Sequence, residues 1–552
     1  MRLPLSSRRR FHPLLAAVLC LLLAAGCEEK SANQQGSTKT SSSSNSQTFR
    51  YALADDPETF DTAQMSGATG GRIAFNIFEG LLMPARTTEG AESTEDLVRP
   101  GVAKSWEVSE DGTTYTFHLR KDAKWSNGKP VTAEDFIFAW KRVLTPGFPA
   151  DYAQLLYVIK NAEKYNAGKI DDFSEVGVEA PDSRTLRVHL KHPTPYFLEL
   201  VAFYTFFPQP KELVKKHGDD WTRPQHIVSN GAYEMKVYQS QKQIVLEKSD
   251  SYWDAENVSI DRAELKIIED KNAVVNAYKA GNLDWTGTNL PIAQITSLLT
   301  HPDYVREPML GVYYYRINVS DESSLLSNPK VRRALSLAIN RKSIVGKTLN
   351  GLFEVSDAFV PSNLSGYTST AETKFDVEKA RKLLKEAGYP KGEGFPKTSL
   401  LYNSSKNHKL VAQTIQDMWK SNLGISVELQ NKDWKSYLQD VDALRYEIAR
   451  AGWIGDYNDP MTFLGMWTTG NGNNDTGWSN DKYDKLIAQA RKTSDRKKRE
   501  KILQRAEELL LKKGPVFPIY DYSNNMLLSN EVKGFKPHNR NIHLIKDLRL
   551  EK

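Results

Sequence analysis

Both cysteines of this 552-residue chain, Cys20 and Cys27, fall within its first 27 residues. Everything beyond them must hold its fold without a disulfide, by burying apolar surface. The length supplies that surface, since it suits about three or four domain-sized units, each able to close a core. A 40% hydrophobic share with charges of both signs is that of an ordinary globular body.

The N-terminus sets the compartment. Arg8, Arg9 and Arg10 precede an apolar run from Leu14 to Ala25 that ends Leu23-Ala24-Ala25-Gly26-Cys27. The run is shorter than the roughly 20 residues of a bilayer span but suits a secretory signal. The small residues before Cys27 resemble a lipobox, in which the cysteine sulfur takes a diacylglyceryl group and becomes the new N-terminus. Cleavage near Ala25, releasing a soluble protein, is the alternative. Residues 1–27 are therefore expected to be a lipoprotein signal, and 28–47, rich in Ser, Thr, Asn and Gln, a disordered tether. Such a coil spans roughly 25 Å. The formal charge of +6 drops to about +2 once Arg2, Arg8, Arg9 and Arg10 leave, so no nucleic-acid partner is implied.

Strands and helices interleave along the body. Thr113 to Arg120 and Thr185 to Lys191 alternate apolar and polar residues as half-buried antiparallel strands do, and Gln243 to Glu247, Ala263 to Ile268 and Ile425 to Leu429 are strand-like. Asn328 caps a helix with Pro329 at its first position and one stripe of Val331, Ala334, Leu335, Ala338 and Ile339. Asp376 opens another, closed by Gly388 and Pro390. Further helices are expected at Lys406 to Trp419 and Asp481 to Arg491. Arg491 to Lys513 is the densest charge run. Its apolar side (Ile502, Ala506, Leu509, Leu510) and its interspersed acids (Asp495, Glu500, Glu507, Glu508) predict a solvated amphipathic helix. The class is mixed α/β or α+β.

Catalytic patterns are missing: there is no His-Glu-x-x-His, Gly-x-Ser-x-Gly, Walker-type glycine loop or Cys-x-x-Cys. His189 and His192, three apart in a strand, point to opposite faces and do not form a metal pair. No catalytic residue, metal or cofactor is expected.

Arg450-Ala451-Gly452-Trp453-Ile454-Gly455-Asp456-Tyr457-Asn458-Asp459-Pro460 is a strand running into a turn. Two readings stand. In one, Asp456, Asn458 and Asp459 hydrogen-bond their own backbone in an ordinary turn. In the other the segment is a recognition strand: Gly452 and Gly455 let a second backbone approach, Trp453 supplies an apolar wall, and Asp456 offers a desolvated charge to an ammonium.

The stretch from Pro100 to Arg120, continuing from Lys124 to Phe136, resembles a family over an uninterrupted length. So do Asn230-Gly231-Ala232-Tyr233, Ala280-Gly281-Asn282-Leu283-Asp284 and Val331-Arg332-Arg333-Ala334-Leu335. The family is that of oligopeptide-binding lipoproteins of ABC importers, the family 5 extracytoplasmic solute-binding proteins. Gly452 to Pro460 is similar to the oligopeptide branch. The resemblance implies a two-lobed periplasmic-binding-protein-like fold of type II with an additional inserted domain. Lobe I would comprise 48–80, 206–308 and 525–552, the insertion 81–205, and lobe III 309–524.

It further implies a non-enzymatic monomer, lipid-anchored through Cys27 to the outer face of the cell membrane, as in a Gram-positive bacterium. Its partners would be oligopeptides and the importer's permease subunits with their cytoplasmic ATPases. Asp456 would hold the peptide's α-ammonium, with Gly452, Trp453 and Ile454 on one side of the peptide and the loop at Ser66 to Ala68 on the other. Arg450 and His408 would meet the carboxylate end, and Trp434, Leu438, Tyr457 and Tyr520 would wall the side-chain pockets. The alternatives are a receptor of the same family for dipeptides, nickel chelates or cell-wall peptides, and more remotely a secreted hydrolase.

Overall fold

The computed structural model describes residues 47–551, apart from Glu92 and Glu372. The expected signal segment, the lipidation site Cys27 and all of the tether but its last residue lie outside the described residues.

Three larger sheets organise the body. The first has the order Thr48–Leu53, Arg262–Ile267, Gln243–Lys248, Tyr233–Gln239, with the first pair parallel and the others antiparallel. The second is antiparallel, in the order Ala103–Val108, Thr114–Leu119, Thr185–His189, Val178–Asp182. The apolar positions of Thr114–Leu119 are buried in alternation, as the sequence requires of a sheet wet on one face.

The third and largest sheet has six strands: Glu354–Val355, Val516–Leu527, Tyr304–Ile317, Ile448–Ile454, Thr398–Asn403 and Val427–Lys432. Its two long antiparallel members, Tyr304–Ile317 and Val516–Leu527, run through the expected boundaries at 308/309 and 524/525, and their register shifts between Pro308 and Val312. Beneath it lie Tyr313, Tyr315, Ile415, Trp419 and Phe517 in one core.

Helix starts follow the capping residues. Asn328 accepts the Lys330 N–H at 2.9 Å, and Asp376 accepts that of Lys379 at 2.9 Å. The helix Asp481–Arg491 has the expected limits, whereas the charge run becomes helical only from Arg496, capped by Asp495. One of its acids departs from expectation. Glu507 is fully buried, because its carboxylate accepts the N–H groups of Phe359 and Val360 (2.9 and 2.8 Å) and the hydroxyls of Tyr367 and Ser369 (2.8 and 2.6 Å). Helical periodicity shows which face a residue occupies but not what a distant segment brings to it.

The same helix fixes the turn after the strand Ile448–Ile454. Arg499 donates to both oxygens of Asp459 at 2.6 and 2.8 Å, and Asp459 in turn accepts the Met461 N–H at 2.9 Å. Both partners are buried. Arg499→Ala should therefore lower unfolding free energy by about 3–5 kcal/mol, since the carboxylate left behind has lost its counter-charge in a low-dielectric setting. Urea denaturation monitored by tryptophan fluorescence measures this.

Candidate functional site

The strand Ile448–Ile454 pairs on one side with residues 311–317 along its whole length, from Gly311 opposite Ile454 to Ile317 opposite Ile448. On its other side Thr398–Asn403 pairs only with Ile448 and Ala449. Beyond Ala449 that edge carries no strand among the described residues, although the Tyr437 hydroxyl donates to the carbonyl of Arg450. A row of main-chain groups around Gly452 is thus open to a further extended chain.

Successive side chains of this strand alternate between faces. At Gly452 a Cβ would meet the Tyr522 hydroxyl at 2.5 Å, so only glycine lets that tyrosine hold the Arg450 guanidinium, at 2.9 Å. Arg450 also reaches Asn403 Oδ1 at 3.3 Å and lies 4.9 Å over the Tyr313 ring. His408 sits beside them, its ring 5.6 Å from that of Tyr313. Burial next to the Arg450 cation pulls the His408 pKa down to about 3, so it is neutral at physiological pH. The expected basic pair is one cation and one uncharged imidazole.

Asp456 lies just past the strand, where Gly455 donates its N–H to the Leu310 carbonyl at 2.7 Å. Its carboxylate accepts from the Thr462 hydroxyl at 3.3 Å and from the Tyr152 hydroxyl, while Arg540 donates to its carbonyl oxygen at 2.7 Å. Burial raises the acid to about 6, against the pull of Thr462, Tyr152 and the Arg540 charge. Two cavities meet at this residue. One, of about 290 Å³, is bordered by Ser66, Ala68, Tyr152, Ile454 and Gly455. The other, of about 690 Å³, is bordered by Tyr157, Lys191, Trp453, Tyr457 and Arg491.

The remaining expected residues divide. Trp453 and Tyr457 line the larger cavity, Tyr457 stacked on Tyr196 at 4.3 Å, and the buried Trp453 Nε1 has no hydrogen-bond partner among the described residues. Ile454 lines the smaller one and is 41% exposed. Tyr520 borders neither of these cavities. It is sandwiched between Tyr313 and Phe353, at 4.5 Å from each, in the core under Arg450. Trp434 and Leu438 lie one turn apart on the helix Trp434–Asp442, exposed by 55% and 36%. Trp434 stacks at 5.5 Å on Tyr437, the residue that holds the Arg450 carbonyl.

Sequence reasoning missed Tyr152, Thr462 and Arg540. Thr462 lies six residues from Asp456, within reach of a turn, but Tyr152 and Arg540 come from remote segments with no local signal. Among the described residues no group of three or more His, Cys, Asp or Glu side chains could hold a metal.

The site thus joins a half-buried acid to the end of an open strand edge, reached by segments from far-apart parts of the chain. The family of bacterial extracellular solute-binding proteins described as family 5, middle part, matches residues 98–475, and the chain belongs to it. It is 36% identical to the oligopeptide-binding protein OppA of Bacillus subtilis (strain 168) over 545 residues, covering 96% of this chain and 97% of that one. Haemophilus influenzae OppA in complex with RPPGFSPFR superposes with a TM-score of 0.79 at 35% identity, over 92% of this chain and 99% of that chain. The Escherichia coli murein tripeptide binding protein MppA gives 0.81 at 31%, over 92% and 99%. The fold is accordingly the mixed α/β, two-lobed periplasmic-binding-protein-like one.

The raised pKa of Asp456 has a consequence for stability. Between the ordinary pKa of an aspartate and about 6 the folded state binds a proton that the unfolded state has released, so ionised Asp456 destabilises the empty protein. The cost develops as pH rises through that window and is complete above it. Asp456→Asn should therefore stabilise the ligand-free protein at pH 7.5 by on the order of 2–3 kcal/mol, and by almost nothing near pH 4. Thermal unfolding of the two proteins, stripped of copurified ligand, at the two pH values tests it.

Proposed function

We propose that this chain is the substrate-binding subunit of an oligopeptide ABC importer, which captures an extended peptide between its lobes and presents it to the permease. The observation that carries this reading is Asp456: a carboxylate desolvated enough to raise its pKa to about 6, at the end of a strand whose outer edge is free. An α-ammonium is the counter-ion such a site lacks, and a peptide main chain is the partner such an edge lacks. Relatives that bind oligopeptides, a nonapeptide and a murein tripeptide support it. Arg450, in its aromatic setting six residues upstream, is the group for the far carboxylate, with neutral His408 as a hydrogen-bonding neighbour.

The lobes proposed are 48–80 with 206–308 and 525–552, and 309–524, with 81–205 inserted. The three sheets, which fall chiefly within these ranges, support that division. Closure would be a hinge motion about the two long strands that pass between the lobes, favoured because the ligand touches both. A lipid on Cys27 would keep the receptor at the outer face of the cell membrane. No bond in the peptide is made or broken.

Native mass spectrometry of the purified protein should find it loaded with a ladder of copurified peptides, returned uncut after incubation. An empty protein, or one that shortens an added peptide, contradicts the proposal. Asp456→Ala should weaken peptide binding by about 3–5 kcal/mol, because the ammonium is then enclosed without its counter-charge. N-acetylated peptides should bind the native receptor as poorly.

Binding should also fade in acid. The free carboxylate titrates near 6, and pairing with an ammonium lowers that value, so protons compete with peptide below it. Calorimetry should show affinity about tenfold weaker at pH 5 than at pH 7, one pH unit below the free-state pKa. An unchanged affinity would remove Asp456 from contact with the ammonium.

A further inference from the structure

The two cavities at Asp456 differ in chemistry. The smaller is walled by four aromatic rings, those of Phe75, Tyr152, Phe203 and Tyr204. Tyr152 lies 5.4 Å from Phe203, Phe203 4.1 Å from Tyr204, and Tyr204 5.9 Å from Phe75, so the rings form a continuous surface. Room for Tyr204 exists because residue 71 is glycine, where an added Cβ would come within 2.8 Å of that ring. Met309, Ile454 and Ile542 extend the apolar lining.

The charges along this lining are mostly positive. Arg72 borders the cavity, with Nη1 donating to the Gly287 carbonyl at 2.7 Å and its guanidinium 5.2 Å over the Trp285 ring. Arg540 is buried, with one nitrogen on the Asp456 carbonyl and another 3.7 Å from Glu199. His543, 3.0 Å from Glu307, borders it as well. Among the lining residues Asp456 is the sole carboxylate. Once an ammonium neutralises it, the fixed charge still facing the space is chiefly that of Arg72, since Arg540 is countered by Glu199 behind it.

The larger cavity has charges of both signs, from Asp151 and Glu163 as well as Lys191 and Arg491. Ile454 borders the smaller cavity and Trp453 the larger. Adjacent strand residues point to opposite faces, so the cavities lie on opposite sides of the recognition strand. A peptide laid along the open edge sends its side chains alternately to those two sides. A first residue held by its ammonium at Asp456 is flanked by Ser66 and Ala68 on one side and by Ile454 and Gly455 on the other, and these four residues border the smaller cavity.

Building on the peptide reading above, we propose that the smaller cavity receives the side chain of the peptide's first residue and selects a bulky apolar one, with Arg72 excluding lysine and arginine. A phenylalanine or leucine side chain leaves water for an aromatic lining. A lysine there would lose its hydration and face the like charge of Arg72 among lining residues that offer no free acid. The second side chain meets mixed charge and is not so restricted.

Isothermal titration of the ligand-stripped protein with tetraalanine peptides extended at the N-terminus by Phe, Leu, Ala or Lys tests this. Phe-first and Leu-first peptides are expected to bind at least tenfold more tightly than the Lys-first one. A companion series varied at the second position should show less than a threefold spread. In Arg72→Gln, which keeps a donor for the Gly287 carbonyl, the ratio of Phe-first to Lys-first affinity should narrow severalfold. Equal binding of Phe-first and Lys-first peptides by the native chain, or discrimination at the second position instead of the first, would overturn the assignment whether or not the variant folds. Absence of binding by every peptide would strike down the peptide reading itself, and this inference with it.

Discussion

The antiparallel pairing of Tyr304–Ile317 with Val516–Leu527 is the constraint from which the geometry of the site descends. Along its second half the first of these strands also carries Ile448–Ile454, so one strand sets the register of both neighbours. That register is enforced by aromatic side chains on both faces. Tyr313 and Tyr315 are buried with Ile415, Trp419 and Phe517, whereas Tyr314, pointing the other way, meets Phe359 at 5.0 Å and Trp467 at 5.9 Å. A slip of one residue would exchange these faces, which neither core could accept. Gly452 is thereby held opposite Tyr313 and Arg450 opposite Tyr315, and the turn that follows delivers Asp456 to the meeting point of two cavities.

The molecule buries several carboxylates, and comparison with them shows how the half-buried Asp456 is held; Asp521, whose pKa burial likewise raises to about 6, also has no cation partner among the described residues but borders neither cavity. Asp459 has both oxygens on Arg499, and Glu507 has four donors. Glu199 accepts the N–H and the side-chain amide of Asn458, each at 3.0 Å. These groups are matched within the protein and hold segments together. Asp456 has two hydroxyls, and the guanidinium beside it is directed at its carbonyl rather than its carboxylate. Its desolvation is therefore incompletely offset, and a ligand cation that completes the shell recovers free energy that a matched acid could not offer.

How much of this was legible in the sequence depended on how local the cause was. Alternation found Thr114–Leu119 and Thr185–His189, and capping residues found the helices at Asn328 and Asp376, because each signal lies within a few residues of its effect. The segment from Arg450 to Asp456 stood out by composition and by resemblance, and its strand, Ile448–Ile454, ends at the turn residues. The nonlocal features were not accessible in this way. The lowered pKa of His408 comes from burial beside Arg450, the burial of Glu507 from a loop about 140 residues earlier, and the placement of Tyr520 from Phe353 and Tyr313. Trp434 and Leu438 are apolar and yet exposed, which no hydropathy pattern announces.

On the proposed reading, a receptor built this way would divide recognition among three kinds of contact that read different things. Main-chain pairing at the open edge registers that the ligand is a peptide and is blind to its side chains. The carboxylate would register a free amino terminus and fix where the chain begins, turning an otherwise slidable strand into one with a defined first residue. Only after that register is set can the cavities on the two faces distinguish side chains, because a strand free to shift by one place would present each residue to either cavity in turn. The proposed selectivity for side chains would therefore be conditional on the charge at Asp456: without it the aromatic and cationic walls of the smaller cavity would still exist, but no particular residue of the ligand would be assigned to them.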